Sequence, residues 1–301
     1  MSDDKVVSKL DFSGKRNLGV MLILLSAFLF SPVGVFSKGV DADAWSIIFW
    51  RGVAAVPAGL VYLLVIGRLG AEWCRLCRNA RFGLLVVLLQ AGGTAAFISS
   101  FKLTSVANVA LVWGTSPVVA ALIAWLFFRE RVTISFVVAV GLVILGNAIM
   151  ISASASGHGG ASLAGDALAL LMTVLLVTAV VVYRYCLDLP STAPTIGATV
   201  LLMALAATLA DPLSISPHEM VILALGGITF VMACITMFEG AKYLAPGETA
   251  LLGVTEIPWA IILAVLVLSE YPTRQTLVGG VIILTAVVWY QRRDLRAARD
   301  G

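Results

Sequence analysis

Long apolar runs, separated by short polar or Pro- and Gly-rich breaks, recur along the whole chain. A helix that crosses a bilayer needs about 20 predominantly apolar residues, and runs close to that length follow one another from end to end. The pattern predicts ten transmembrane helices. Their predicted ranges are 17–36, 44–66, 82–101, 106–128, 132–151, 163–187, 194–210, 220–238, 246–268 and 276–290.

Composition favours a membrane protein over a soluble one. Of the 301 residues, 60% are hydrophobic and 12% are charged, and the mean hydropathy is +1.02. A soluble domain carries about 25% charged residues, so this chain has too few to cover a water-facing surface. A net charge of +3 does not support nucleic-acid binding. We therefore expect an all-α polytopic membrane protein whose partners are the lipid bilayer and a small-molecule substrate, with no nucleic acid.

Lys and Arg are distributed unevenly between the two sides of the predicted bundle. Most of the 20 fall in the two tails and in alternate loops, whereas the loops of the other side carry Lys38, Lys102 and Arg274. Because cytoplasmic loops are enriched in Lys and Arg, we expect both termini in the cytoplasm, as tails at 1–16 and 291–301. The expected location is the inner (plasma) membrane.

A sequence repeat relates the two halves of the chain. Residues 102–144 align without a gap with residues 242–284. The matches that are uncommon in apolar helices pair Lys102 with Lys242, Thr115 with Thr255, and Glu130 with Glu270. We predict two five-helix repeats, 17–151 and 163–290, joined by a loop at 152–162. Five is an odd number, so the second repeat enters the membrane inverted, an arrangement typical of alternating-access transporters.

Several short motifs resemble the EamA type of the drug/metabolite transporter superfamily, and the similarity covers nearly the whole chain. The segments that carry it are Phe30-Ser31-Pro32, Phe49-Trp50-Arg51-Gly52, Ser116-Pro117 through Arg129-Glu130-Arg131, Thr255-Glu256-Ile257-Pro258 and Ser269-Glu270-Tyr271-Pro272. The resemblance implies ten helices in two inverted bundles around a central cavity. It also implies transport of small metabolites, with export of amino acids or related compounds as the leading expectation.

Two charged side chains, Arg51 and Glu256, lie deep inside predicted spans, away from the span ends. A charge at the centre of a spanning helix costs about 2.5–3.5 kcal/mol on insertion scales, so such residues generally face the interior of a bundle. Arg51 is predicted to pair with a substrate carboxylate or a buried acid; the alternative is that it reaches the nearer interface. Glu256 is predicted to bind an ammonium group or take up a proton; the alternative is a structural hydrogen bond.

Polar and aromatic residues on the third, fourth and ninth predicted helices are candidates for the substrate site. Under the repeat alignment Thr115 and Ser116 correspond to Thr255 and Glu256, so these polar positions should converge near a pseudo-twofold axis. The alternative is that the hydroxyls bond to carbonyls of their own helix and that the aromatic rings face lipid. The predicted substrate-binding residues are Gln90, Thr94, Asn108, Trp113, Thr115, Ser116, Glu256 and Trp259.

Prolines and two lysine-bearing turns mark places where the bundle is expected to move. Proline lacks the N–H that a helix interior needs. The prolines expected to interrupt helices are Pro32, Pro57, Pro117 and Pro258. Pro117 and Pro258 are predicted to act in gating, together with the turns at Lys102 and Lys242. The alternative is a set of static kinks and ordinary interfacial charges.

The sequence does not support an enzyme, a metal protein or a nucleotide-driven pump. It has two histidines and no H-E-x-x-H, G-x-S-x-G or P-loop motif, so no catalytic residue, metal or cofactor is predicted. We expect a secondary transporter of small organic metabolites, with drugs or other amphipathic metabolites as the alternative cargo. A channel and a scaffold protein are the alternatives of another class. The sequence is compatible with a monomer or a homodimer.

Overall fold

The computed structural model describes residues 3–128, 134–155, 162–211, 215–244, 249, 252–253 and 255–300. The regular elements within these ranges are all α-helices. In chain order they are α1 (Asp3–Phe30), α2 (Val33–Lys38), α3 (Ala44–Val65), α4 (Leu69–Arg78), α5 (Ala80–Leu103), α6 (Val106–Trp113), α7 (Ser116–Phe128), α8 (Ile134–Ala155), α9 (Leu163–Tyr185), α10 (Thr192–Leu209), α11 (Pro217–Ala241), α12 (Glu256–Leu268) and α13 (Arg274–Asp300).

The prediction of an all-α polytopic membrane fold is confirmed. Within the described ranges, seven segments are long and apolar enough to cross a membrane. They are Arg16–Lys38, Ala44–Val65, Ala80–Leu103, Val106–Phe127, Leu163–Tyr185, Thr192–Leu209 and Pro217–Ala241. Shorter apolar helices at Val137–Gly146, Glu256–Leu268 and Arg274–Tyr290 lie in the three remaining predicted spans. The first and last helices also extend into the predicted tails, since α1 begins at Asp3 and α13 ends at Asp300.

Two details differ from the sequence expectations. The prediction that Pro57 interrupts a helix is wrong, because α3 runs through it without a break; neighbouring helices let spanning helices tolerate an internal proline. The loop after α3 contains α4, an unpredicted helix whose Glu72 is buried. The Glu72 carboxylate accepts hydrogen bonds of 3.2 Å from the backbone N–H groups of Thr192 and Ala193. This contact ties α4 to the start of α10.

Within the fourth and ninth predicted spans, a helix begins at equivalent positions of the repeat. The fourth is divided into α6 and α7, and α7 begins at Ser116. Adding 140 to that number gives Glu256, the first residue of α12. Pro117 and Pro258 lie in the first turns of these two helices, where a missing N–H removes no helix hydrogen bond. Glu130, which supported the repeat alignment, lies outside the described residues, as do residues 245–248.

Helices of the two repeats pack against each other in equivalent pairs. The third helix of one repeat packs on the first helix of the other, as α5 on α9 and α11 on α1. The second helices, α3 and α10, pack together, and so do the fifth helices, α8 and α13. Each repeat therefore completes the other, and the seam between them runs through the middle of the molecule.

Glycines permit the two equivalent crossings. A Cβ atom at Gly165 of α9 would lie 2.7 Å from the Thr104 Cβ and 2.8 Å from the Thr104 backbone nitrogen. A Cβ atom at Gly19 of α1 would lie 2.9 Å from the Tyr243 Cβ. In each pair a glycine near the start of the first apolar span of one repeat faces the residues that follow the third helix of the other repeat. The close approach requires the absence of a side chain at both positions.

Candidate functional site

A cavity lies on the seam, between the first, third and fourth spans of both repeats. Its lining residues are Phe30, Ser31, Gly34, Gln90, Thr94, Phe97, Phe101, Val106, Val109, Ala110, Trp113, Met172, Leu176, Phe230, Cys234, Met237, Phe238, Glu256 and Ala260. Its volume is about 40 Å³, and a cavity needs about 10–15 Å³ to hold one water. The cavity therefore has room for about three waters, which is less than a metabolite occupies.

The helix breaks place a carboxyl and an indole on the wall of the cavity. Trp113 is the last residue of α6 and Glu256 the first residue of α12, so each lies where its span is interrupted. The Trp113 indole N–H faces the Glu256 carboxyl as a hydrogen-bond donor. Ala260, one turn further along α12, also lines the cavity. Glu256 therefore occupies the first turn of a half-helix, where the free N–H groups and the helix dipole favour a negative charge.

Aromatic side chains from three helices form one wall. The rings of Phe97 and Phe101 on α5 meet edge to face at 4.7 Å. Phe230 on α11 lies edge to face with Phe30 at 5.6 Å and stacked with Phe97 at 6.4 Å. The edge-to-face pairs have the spacing and orientation that ring quadrupoles favour. The wall can receive the ring or the aliphatic part of a solute.

Gln90 links the cavity to a buried hydrogen-bond network. Its amide N–H donates to the Tyr183 hydroxyl at 3.2 Å, and its amide oxygen accepts from the Thr195 hydroxyl at 2.9 Å. The Tyr183 ring stacks on Phe238, with the ring centres 4.5 Å apart. Gln90 thereby joins α5 to α9 and α10. Tyr183 and Thr195 were not among the predicted site residues, although each is a polar group in an apolar run.

Arg51 lies behind the aromatic wall. It is 4% exposed, and its guanidinium carbon lies 4.4 Å from the centre of the Phe230 ring. Within the part of the chain that the structure describes, none of its three guanidinium nitrogens has a hydrogen-bond partner. Arg51 and Glu256 are not joined by an ion pair in these ranges. Phe230, whose ring also lines the cavity, separates the cation from the cavity.

Comparison with known proteins identifies the family. The model of the EamA-like transporter family matches the chain twice, at residues 17–152 and 163–290. The chain belongs to the EamA-like transporter family. A solved structure described only as "Crystal structure of protein" has a TM-score of 0.64 and 20% sequence identity, over 93% of this chain and 98% of that chain; it supports the fold alone. No curated protein matches the chain.

Family membership makes this EamA protein a membrane transporter of small molecules and not an enzyme. It also accounts for the two repeats. Among the described residues, no group of three or more His, Cys, Asp or Glu side chains could hold a metal ion.

The predicted substrate-binding residues of the EamA transporter separate into two groups. Gln90, Thr94, Trp113 and Glu256 lie together on the cavity wall. The other four lie elsewhere. The Thr115 hydroxyl donates to the Val112 carbonyl of the preceding turn at 2.7 Å, Ser116 is buried, and Trp259 is 52% exposed on the outer face of α12. Whether a residue reaches the cavity depends on which way its side chain points from the helix. The spacing of polar residues in the sequence did not determine that direction.

Asn108, the remaining member, belongs to a network at one end of the bundle. Its amide N–H donates to the Asp166 carboxylate at 3.2 Å, and its amide oxygen accepts from the Thr276 hydroxyl at 2.9 Å. The Thr104 hydroxyl donates to the same Asp166 oxygen at 2.7 Å. Lys38 forms an ion pair with Glu270 at 2.9 Å nearby. We call this region the Lys38 end; its contacts join the first repeat to the second.

The two predicted gate lysines lie near equivalent loops of the two repeats. Lys102 donates to the Val40 carbonyl at 2.7 Å, which fixes the loop between the first two spans of its repeat. Lys242 pairs with Glu239 at 3.0 Å, and Glu239 accepts a hydrogen bond from Ser191. Ser191 lies in the loop between the first two spans of the second repeat. We call this second region the Lys242 end. Lys102 thus contacts its loop directly, whereas Lys242 is linked to its loop through Glu239.

Proposed function

We propose that the protein is a secondary transporter that exports amino acids or related small organic metabolites by alternating access. The observation that carries this proposal is the Glu256 carboxyl on the wall of a cavity between two family repeats. A carboxylate there can bind the ammonium group of a solute, because a buried charge needs a counter-charge. Export as the direction rests on the family resemblance.

The remaining lining supports an amino acid with an apolar or aromatic side chain. The rings of Phe97, Phe101 and Phe230 offer contact area, and Gln90 and Thr94 offer hydrogen-bonding groups. Ligand sites generally combine apolar walls with a few placed polar groups. We therefore assign Gln90, Thr94, Trp113 and Glu256 to substrate binding.

Alternating access is supported by the closure of both ends. Contacts between the repeats join them at the Lys38 end, through Lys38 and Glu270 and through Thr104 and Asp166. Beside the Lys242 end they are joined by the Glu72 carboxylate and the backbone of Thr192 and Ala193. The cavity between the two ends has room for about three waters. A solute can enter only when one set of contacts opens. With both termini in the cytoplasm, as the distribution of Lys and Arg suggests, the Lys242 end faces the cytoplasm and the Lys38 end faces outward. The proposed location is the inner (plasma) membrane.

A second cargo, drugs or other amphipathic metabolites, is favoured by the predominance of apolar and aromatic side chains in the lining. Such a solute needs no ammonium group and would use the aromatic wall alone. The two cargoes differ in whether transport depends on the charge of Glu256.

Counterflow in proteoliposomes tests the proposal. Vesicles loaded with unlabelled amino acid are diluted into a trace of the labelled compound, and a panel of amino acids is compared with an amphipathic amine and an uncharged dye. Transient, saturable accumulation of an amino acid supports the proposal. Accumulation of the dye alone would transfer the assignment to the second cargo. Linear, unsaturable flux would indicate a channel and contradict both.

A further inference from the structure

Arg51 is a buried cation whose guanidinium N–H groups have no hydrogen-bond acceptor among the described residues. A guanidinium has five N–H donors and cannot be deprotonated under biological conditions. Its nitrogens lack partners among the described residues, and an unpaired buried charge is strongly unfavourable. Charged residues inside membrane helices generally mark the path of a substrate or an ion. The unused donors therefore call for an anion that the described residues do not supply.

Close helix packing fixes the position of the Arg51 backbone, so only side chains can change the surroundings of its guanidinium. A Cβ atom at Gly227 of α11 would lie 2.1 Å from the Arg51 carbonyl oxygen, so α3 and α11 touch at this point. On the other side, a Cβ atom at Gly52 would lie 2.3 Å from the Met203 side chain of α10. The backbone of Arg51 is held between two helices. Access to the guanidinium depends on side chains.

One ring stands between Arg51 and the cavity. Phe230 has the guanidinium over its face and also contributes to the lining. A cation–π contact is weaker than a charge-assisted hydrogen bond to a carboxylate. A carboxylate that reaches the guanidinium can therefore replace the ring as its partner. The replacement requires the Phe230 ring to move, because this ring both covers the guanidinium and lines the cavity.

We propose that Arg51 is the carboxylate-binding residue of this transporter, and that the Phe230 ring covers it until a solute displaces the ring. The proposal rests on the proposed function and deepens it: the cargo carries a carboxylate, held by Arg51, whether or not it also carries an ammonium group for Glu256. The binding site then consists of the observed cavity and the space that the Phe230 ring now occupies.

Three solutes that share a phenyl ring separate the two charges: phenylalanine, 3-phenylpropionate and phenethylamine. Their affinities are measured by titration of the full chain in lipid nanodiscs, for the wild type, Arg51→Gln, Arg51→Lys and the exposed-residue control Arg81→Gln. In Arg51→Gln we expect the affinity for the two carboxylates to fall by about tenfold or more, and the affinity for phenethylamine to stay unchanged. If Arg51→Gln does not fold, Arg51→Lys is decisive: it keeps the charge but loses the two-pronged geometry, and carboxylate binding should weaken selectively.

Equal carboxylate affinities in the wild type and the folded Arg51 variant overturn the proposal, and so does a wild type that binds neither carboxylate. Counterflow of the same solutes separates this result from the proposed function. Exchange of phenethylamine without carboxylate binding would overturn the role of Arg51 and leave transport standing. Arg51-dependent carboxylate binding without any exchange would uphold the site and contradict transport.

Discussion

Glu256 is the residue through which the charge of the cavity can be tested, since it is the acid among the described lining residues. Replacing it by Gln keeps the shape and a hydrogen-bond acceptor for Trp113 but removes the charge. We expect Glu256→Gln to lower counterflow of an amino acid by about tenfold or more and to flatten its pH dependence, without changing the elution profile of the purified protein. Initial rates at several pH values provide the measurement.

The matched control for Glu256 is Asp188→Asn, which makes the same carboxyl-to-amide change at a side chain that is 78% exposed and paired with Arg78. An exposed pair of this kind contributes little energy, so transport should not change. Wild-type rates and an unaltered pH profile in Glu256→Gln would remove Glu256 from the mechanism.

Gln90 offers a second residue-level test, because its amide satisfies two buried hydroxyls on other helices. Gln90→Leu leaves both hydroxyls without this partner and should lower the free energy of unfolding by about 1–2 kcal/mol. Tyr183→Phe removes a single hydrogen bond to Gln90 and should have a smaller effect. Thermal unfolding of both variants in the same detergent provides the comparison. A Gln90→Leu protein as stable as the wild type would mean that the network adds no net stability.

Polarity identified some of the cavity residues, but it could not identify the rest. Gln90 and Glu256 are recognisable from sequence because a polar group in an apolar run is costly unless it has a partner. Phe230 carries no such signal, since an aromatic residue in a spanning helix faces lipid or protein equally well. Its contact with Arg51 depends on the crossing of α3 and α11, which involves residues far apart in sequence.

At the scale of helices, the break in each fourth span was only partly predictable. Pro117 and Pro258 indicated weak points, and the repeat alignment indicated that they were related. The bounds of α7 and α12 show that the helices begin at Ser116 and Glu256, before their prolines. Pro57 has the same chemistry but lies inside an unbroken helix. A proline therefore permits a break, and the surrounding packing decides whether one occurs.

The crossing of α5 and α9 can be tested at Gly165. A methyl group there would meet the backbone at Thr104 at 2.8 Å, and backbone cannot move aside as a flexible side chain can. We expect Gly165→Ala to lower the free energy of unfolding by about 1–3 kcal/mol. Gly141→Ala on α8 is the control, because no atom lies within 4 Å of its added Cβ; it should be neutral or slightly stabilising. Equal stability of the two variants would contradict the close crossing.

At the scale of the whole molecule, the architecture was more predictable than the site. Ten apolar runs and the gapless alignment of residues 102–144 with residues 242–284 indicated two repeats. Span length and sequence repetition can both be read directly from the sequence. The contacts that close the ends were not predictable. Lys38 is the last residue of α2 and Glu270 lies in the loop after α12, in different repeats, so their pairing exists only once the repeats have packed together.

The Lys38–Glu270 pair gives a test of the closed state as a whole. We proposed that the Lys38 end faces outward. If the ion pair helps to hold that end shut, Lys38→Gln should shift the population towards a form that is open there, since the pair stabilises only the closed form. Cys234 lines the cavity and is buried, so it can report this opening. With the other three cysteines replaced by Ser, we expect Lys38→Gln to increase the labelling rate of Cys234 by a membrane-impermeant maleimide added outside.

The charge-swapped double variant, Lys38→Glu with Glu270→Lys, restores an opposite-charge pair and should return labelling towards the wild-type rate. Arg78→Gln is the control, because it removes an exposed pair with Asp188 at the other end of the bundle and should leave labelling from outside unchanged. An equal increase in Lys38→Gln and Arg78→Gln would indicate general loosening of the fold. No increase in Lys38→Gln would mean that hydrogen bonds such as Thr104 to Asp166 keep this end closed without the ion pair.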